Sequence, residues 1–173
     1  MNLVLLAAIV YVPMLIEARR AGRNERAQLA IGGFEPPGDV YRLMQVAYPG
    51  AFAAMLAEAA MRGGPPAGAV AAMGLAVFAG GKALKWWAIL TLGQAWTFRV
   101  IVVPAARRIR SGPYHYFDHP NYIGVVGELV GATLMTGAQL AGPVATLLFS
   151  LLILKRITVE NRALKNLVIE PDC

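Results

Sequence analysis

The run Arg110-Ser-Gly-Pro-Tyr-His-Tyr-Phe-Asp-His-Pro-Asn-Tyr122-Ile-Gly124 gathers both histidines of the chain, three tyrosines and an aspartate. Imidazole, phenol and carboxylate groups this close together supply donors, acceptors and aromatic faces to a bound molecule. Pro113 and Pro120 exclude a continuous helix through the run. Pro120 suits the first turn of a following helix, with His119 just before it. His119 and Tyr122 then stand at a helix N-terminus, where unpaired N–H groups favour an anionic group. The structural alternative is an interfacial aromatic belt with a loop. A second cluster is Arg156-Ile-Thr-Val-Glu160-Asn161-Arg162. On a helix, Arg156 and Glu160 are four residues apart and share a face; the alternative is a surface ion pair on a basic interfacial helix. A third feature is Glu128, a carboxylate inside an apolar run and so a functional candidate. Its alternative is a packed side chain bonded to Thr91, Gln94 or an arginine of a neighbouring helix.

These residues need elements to hold them, and the composition says which kind. The chain has 173 residues, 57% of them hydrophobic and 15% charged. Soluble domains run nearer ~45–50% apolar and ~25% charged. Disorder, a coiled coil and a basic nucleic-acid tail are excluded, and a bilayer is the natural solvent. A membrane-crossing helix needs ~20 mostly apolar residues. The sequence predicts an all-α integral membrane protein with five spans, at about 1–17, 43–61, 67–93, 121–137 and 142–155. The fifth is short unless its helix continues into Lys155–Leu164. Segment 1–17 lacks the basic start and small-residue exit of a leader peptide, so it reads as a span. Lys82, Lys85, Trp86 and Trp87 read as the end of the third span crossing the interface.

The basic residues orient this layout. With the N-terminus outside, 15 of the 16 Lys and Arg, including Arg107, Arg108 and Lys165, fall on the cytoplasmic side, and only Arg62 falls outside. That split follows the positive-inside rule. It explains the net charge of +6 without nucleic acid. The location expected is a bacterial cytoplasmic membrane, with the C-terminus inside. The outer turns are too short to build a site, so the cytoplasmic loops and C-terminal helix should form the pocket.

The whole chain, 1–173, reads as one domain without repeats. It contains no phosphate-binding loop, no dinucleotide fingerprint and no H-E-x-x-H pair. With one cysteine, Cys173, neither a Cys/His zinc site nor an intrachain disulfide can form, and no metal is expected.

Ser111-Gly-Pro-Tyr114, His119-Pro-Asn-Tyr122-Ile-Gly124 and the later Arg156-Ile-x-x-Glu160 together resemble the isoprenylcysteine carboxyl methyltransferase family. Leu92-Gly-Gln-Ala-Trp-Thr-Phe-Arg-Val-Ile-Val-Val-Pro104, Asn24-Glu-Arg-Ala27 and Glu35-Pro36 resemble its small bacterial members. The resemblance covers most of the chain and is strongest over 92–164. The His-Pro-x-Tyr core also resembles phospholipid methyltransferases and integral-membrane sterol reductases.

The resemblance implies a membrane methyltransferase using S-adenosylmethionine and taking a lipophilic small-molecule acceptor, carboxylate or phenol/enol hydroxyl, from the membrane lipids. It assigns Tyr114, His119, Pro120, Tyr122 and Glu160 to the cofactor. It assigns Arg156 to catalysis, where it could pair with Glu160, hold the cofactor carboxylate or orient an acidic acceptor. Glu128 lies six residues after Tyr122, about 9 Å along a helix axis. That spacing predicts a place at the lipid-side end of the pocket, where it would bond or deprotonate an acceptor hydroxyl. Two departures stand out: many relatives read Arg-His-Pro where this chain has Asp118-His119-Pro120, and Glu-Glu where it has Glu160-Asn161. The alternatives are a non-catalytic membrane or assembly protein that keeps the fold, and an NADPH-dependent enzyme of the sterol-reductase type.

Overall fold

A computed structural model describes residues 2–104 and 109–168, with side chains as far as 163. Arg107, Arg108, Cys173 and the side chain of Lys165 lie outside the described residues. Among those described, five α-helices carry the fold: α1 Leu3–Ala30, α2 Tyr41–Met61, α3 Ala69–Leu92, α4 Pro120–Thr136 and α5 Ala141–Val168. Among the described residues no strand forms, and an antiparallel bridge joins Phe34 to Val102. The α1 start is capped by Asn2, whose side chain accepts from Leu5 N–H at 2.7 Å. Gly137, in the left-handed conformation, ends α4.

Every expected span corresponds to a helix, but two helices run further. α1 continues from the predicted end at 17 to Ala30, and α5 continues past 155 to Val168. Polar residues beyond the apolar runs do not stop a helix whose exposed face they occupy. Two helical stretches, Ala69–Ala95 and Ala141–Ala163, are long and apolar enough to cross a membrane. α4 has 17 residues, about 26 Å of helix. The outward faces are apolar: Val46, Leu90, Leu147 and Leu154 all stand more than half exposed. Inside, Leu6, Phe52, Met55, Phe78, Leu129, Met135 and Phe149 form the main core.

Glycine sets the closest helix pair. α3 and α4 pack more extensively than any other two elements. A Cβ at Gly81 would stand 2.8 Å from the Gly124 carbonyl oxygen, and one at Gly124 would stand 2.7 Å from that of Gly81. Both distances are shorter than a carbon–oxygen contact allows, so the backbones approach only because neither residue has a side chain. At the end of the bundle away from the His119 motif, Glu58 of α2 accepts from Leu140 N–H and Ala141 N–H, capping α5.

Candidate active site

α4 begins at Pro120, with His119 as its cap residue in a non-helical conformation. The Gly112–His115 turn precedes it and carries Tyr114. These positions bring Tyr114, His119 and Tyr122 to one wall of a cavity of about 500 Å³. Arg156 and Glu160, one turn apart on α5, close another part of it. The size suits a small-molecule or cofactor site, which typically spans ~300–1,000 Å³. Further lining comes from the end of α1 (Gln28, Ile31), from the 94–103 segment, including Trp96 and Val100, and from Leu92, Ile109, Asp118 and Asn121.

Tyr122 joins the two motifs. Its hydroxyl donates to Glu160 Oε2 at 3.1 Å and accepts from Arg156 Nε at 2.8 Å. Arg156 and Glu160 therefore meet through the tyrosine. The His119 ring lies 5.6 Å from that of Tyr122, and its Nδ1 is 3.9 Å from Glu160 Oε2. Burial first, and the Glu160 carboxylate second, push the Tyr114 phenol above its ordinary range. Tyr114 thus keeps a neutral hydroxyl on the cavity wall. Pro120 itself is buried and serves as the first residue of α4.

The other nitrogens of Arg156 are also engaged. Nη1 reaches Asp39 Oδ1 at 3.3 Å, and Nη2 donates to the Phe98 carbonyl. The Asp39 and Arg156 side chains are 2% and 7% exposed, so this is a buried pair. Asp39 was not visible as a site residue in the sequence. Asp39 Oδ1 also accepts from Tyr41 N–H, just before α2. The 93–96 turn is tied down by α1: Asn24 Nδ2 donates to the Gly93 and Trp96 carbonyls, and Gln28 Nε2 to that of Gln94. The signal for these two amides is their spacing of four on the helical extension of α1.

Glu128 stands apart from this group, and the expectation that it faces the pocket is corrected. It lies in a buried box of two carboxylates and two ammonium groups. Lys82 Nζ is 3.0 Å from Glu17 and 2.6 Å from Glu128; Lys85 Nζ is 2.7 Å from Glu17 and 3.5 Å from Glu128. The Tyr48 hydroxyl donates to Glu128 at 2.7 Å. Among the described residues neither Thr91, Gln94 nor an arginine supplies its partner. The reason is helical periodicity: six residues from Tyr122 turn the side chain toward α3 rather than along the cavity. Lys82 and Lys85, expected at the interface, both turn into this box, and Lys85 is only 2% exposed.

The profile of the isoprenylcysteine carboxyl methyltransferase (ICMT) family matches residues 72–166. The uncharacterized protein YpbQ of Bacillus subtilis is 27% identical over 164 residues, covering 93% of this chain and 95% of that protein. An uncharacterized protein of Haemophilus influenzae is 26% identical over 146 residues, 84% of each chain. No solved structure matches. Together with the two apolar helices, this match marks a membrane protein. The chain belongs to the isoprenylcysteine carboxyl methyltransferase family.

Proposed function

We propose that the protein is an S-adenosylmethionine-dependent methyltransferase acting on a lipophilic small molecule drawn from the membrane. The observation that carries this is the meeting of two motifs at one hydroxyl: Tyr122, from the 114–124 run, bonds Glu160 and Arg156, from the 156–160 run, beside a cavity of cofactor size.

The donor set fits the cofactor. Glu160 is one-third exposed on the cavity wall and can accept from an ammonium or ribose hydroxyl. Tyr114 and Tyr122 on the cavity wall are rings of the kind that attract a sulfonium. Trp96, Val100 and Ile31 add apolar lining that suits an adenine or acceptor chain. When bound, S-adenosylmethionine supplies an electrophilic methyl group. The chain's task is then alignment, which provides much of the acceleration of a displacement. Arg156, held on several sides by protein acceptors, fixes the Tyr122 hydroxyl so that it donates to Glu160. A carboxylate acceptor needs no base. A hydroxyl acceptor loses a proton, and the His119 imidazole on the cavity wall is available to take it.

The same reading orients the chain with its N-terminus outside and this cavity at the cytoplasmic face of the inner membrane, where the basic residues concentrate. The test is label transfer. Purified protein is incubated with S-adenosylmethionine carrying a tritiated methyl group and a lipid extract of the native membrane. Label should enter the organic phase with the wild-type protein and not with Glu160→Ala. Absence of transfer by a wild-type protein that binds the cofactor would favour a non-catalytic role.

A further inference from the structure

Asp39 lies outside the stretch that matches the family, 72–166, yet it is bonded into the centre of the candidate site. We infer that Asp39 is a positioning residue of the cofactor site, acting through Arg156 and Tyr122 on Glu160; this rests on the proposed cofactor.

Both carboxylate oxygens are used. Oδ1 accepts from Arg156 Nη1 at 3.3 Å and from Tyr41 N–H at 3.1 Å; Oδ2 accepts from Val100 N–H at 2.9 Å. Asp39 therefore joins three stretches that are distant in sequence: the α1–α2 connection, the 96–103 cavity wall and α5. Arg156 repeats the tie by donating Nη2 to the Phe98 carbonyl. With those two nitrogens held, Nε is left pointing at the Tyr122 oxygen. That oxygen's own proton then has Glu160 as its acceptor. Without Asp39 a buried guanidinium would lack its counter-charge, and Glu160 is the nearest carboxylate on the same helix face. Arg156 would turn toward Glu160 and occupy the acceptor that the cofactor's ammonium or hydroxyl groups need. The N-terminal portion thus sets the polarity of a relay whose other members belong to the matched region.

A merely structural Asp39 would change melting temperature; a positioning Asp39 changes cofactor affinity in a way coupled to Tyr122. The experiment is calorimetric titration of S-adenosylhomocysteine into detergent-solubilised wild type, Asp39→Asn, Tyr122→Phe and the double variant, each with a melting curve. Each single change should weaken binding about tenfold, the scale of one charged hydrogen bond, and the double variant should be no weaker than about the weaker single variant. Losses that multiply to about a hundredfold, or unchanged affinity in Asp39→Asn, overturn the inference. Should Asp39→Asn fail to fold, Arg156→Met and Arg156→Met/Asp39→Asn are compared, since removing both charges leaves no orphan. Equal affinities support the relay, and a further loss in the pair overturns it. A wild-type protein that binds no S-adenosylhomocysteine overturns the cofactor reading itself, and this inference with it.

Discussion

The Tyr122 hydroxyl donates to Glu160 across 38 positions of chain, at 3.1 Å. The contact exists because α4 leaves the side of the bundle bearing the His119 motif and α5 returns to it, with Glu58 and the Gly137 turn closing the far end. A short antiparallel connection makes two remote motifs neighbours.

Glu160→Ala should therefore weaken S-adenosylmethionine binding by about 1.5–3 kcal/mol, the range for a hydrogen bond to a charged group. Equilibrium dialysis with labelled cofactor measures it. Unchanged affinity in a folded variant would take Glu160 out of the site.

Much of this arrangement was legible beforehand. Apolar runs marked all five helices, and Pro120 marked the start of α4. The likeness of 114–124 and 156–160 to one family pointed to Tyr114, His119, Tyr122, Arg156 and Glu160, which stand on the cavity wall, but not to the 94–103 segment that lines much of the rest. The continuation of α5 was open in the sequence as an extension into Lys155–Leu164, but the length of α1 was not legible, because its extension past residue 17 is polar and Gly32-Gly33 come only later. The box was hidden for a different reason. Lys82 and Lys85 look interfacial and Glu128 looks like a lone carboxylate in an apolar run, and only the packing of α1, α3 and α4 brings them together with Glu17. Asp39 was hidden likewise, since its partners Val100 and Arg156 are brought to it only by tertiary structure.

The glycine seam can be tested by adding atoms. A Cβ at position 124 would also stand 2.9 Å from the Lys85 Cβ. Gly124→Val should force α3 from α4 and cost about 1–3 kcal/mol, as overpacking does. Thermal melting in detergent reads the loss, and a wild-type melting temperature would show that the helices do not meet there.

For Glu128 the expected role is structural. Glu128→Ala leaves the buried Lys85 and the partly buried Lys82 sharing the Glu17 carboxylate, which should cost about 3–5 kcal/mol. Replacing Glu128 and Lys82 together by leucine keeps the remainder neutral and should recover most of that stability. Melting curves compare the two variants. A single variant that melts like wild type but no longer transfers methyl groups would return Glu128 to the catalytic site.

Orientation has its own check. A reporter fused after Leu164 should read as cytoplasmic, as the split of basic residues requires. An extracytoplasmic signal would invert the layout and put the cavity on the other face.

The most direct measurement is calorimetric titration of the wild-type protein in detergent with S-adenosylhomocysteine and, separately, with NADPH. The expected result is saturable one-site binding of S-adenosylhomocysteine and none of NADPH. Heat from NADPH alone would point to a reductase, and heat from neither would contradict a cofactor site at Tyr122 and Glu160.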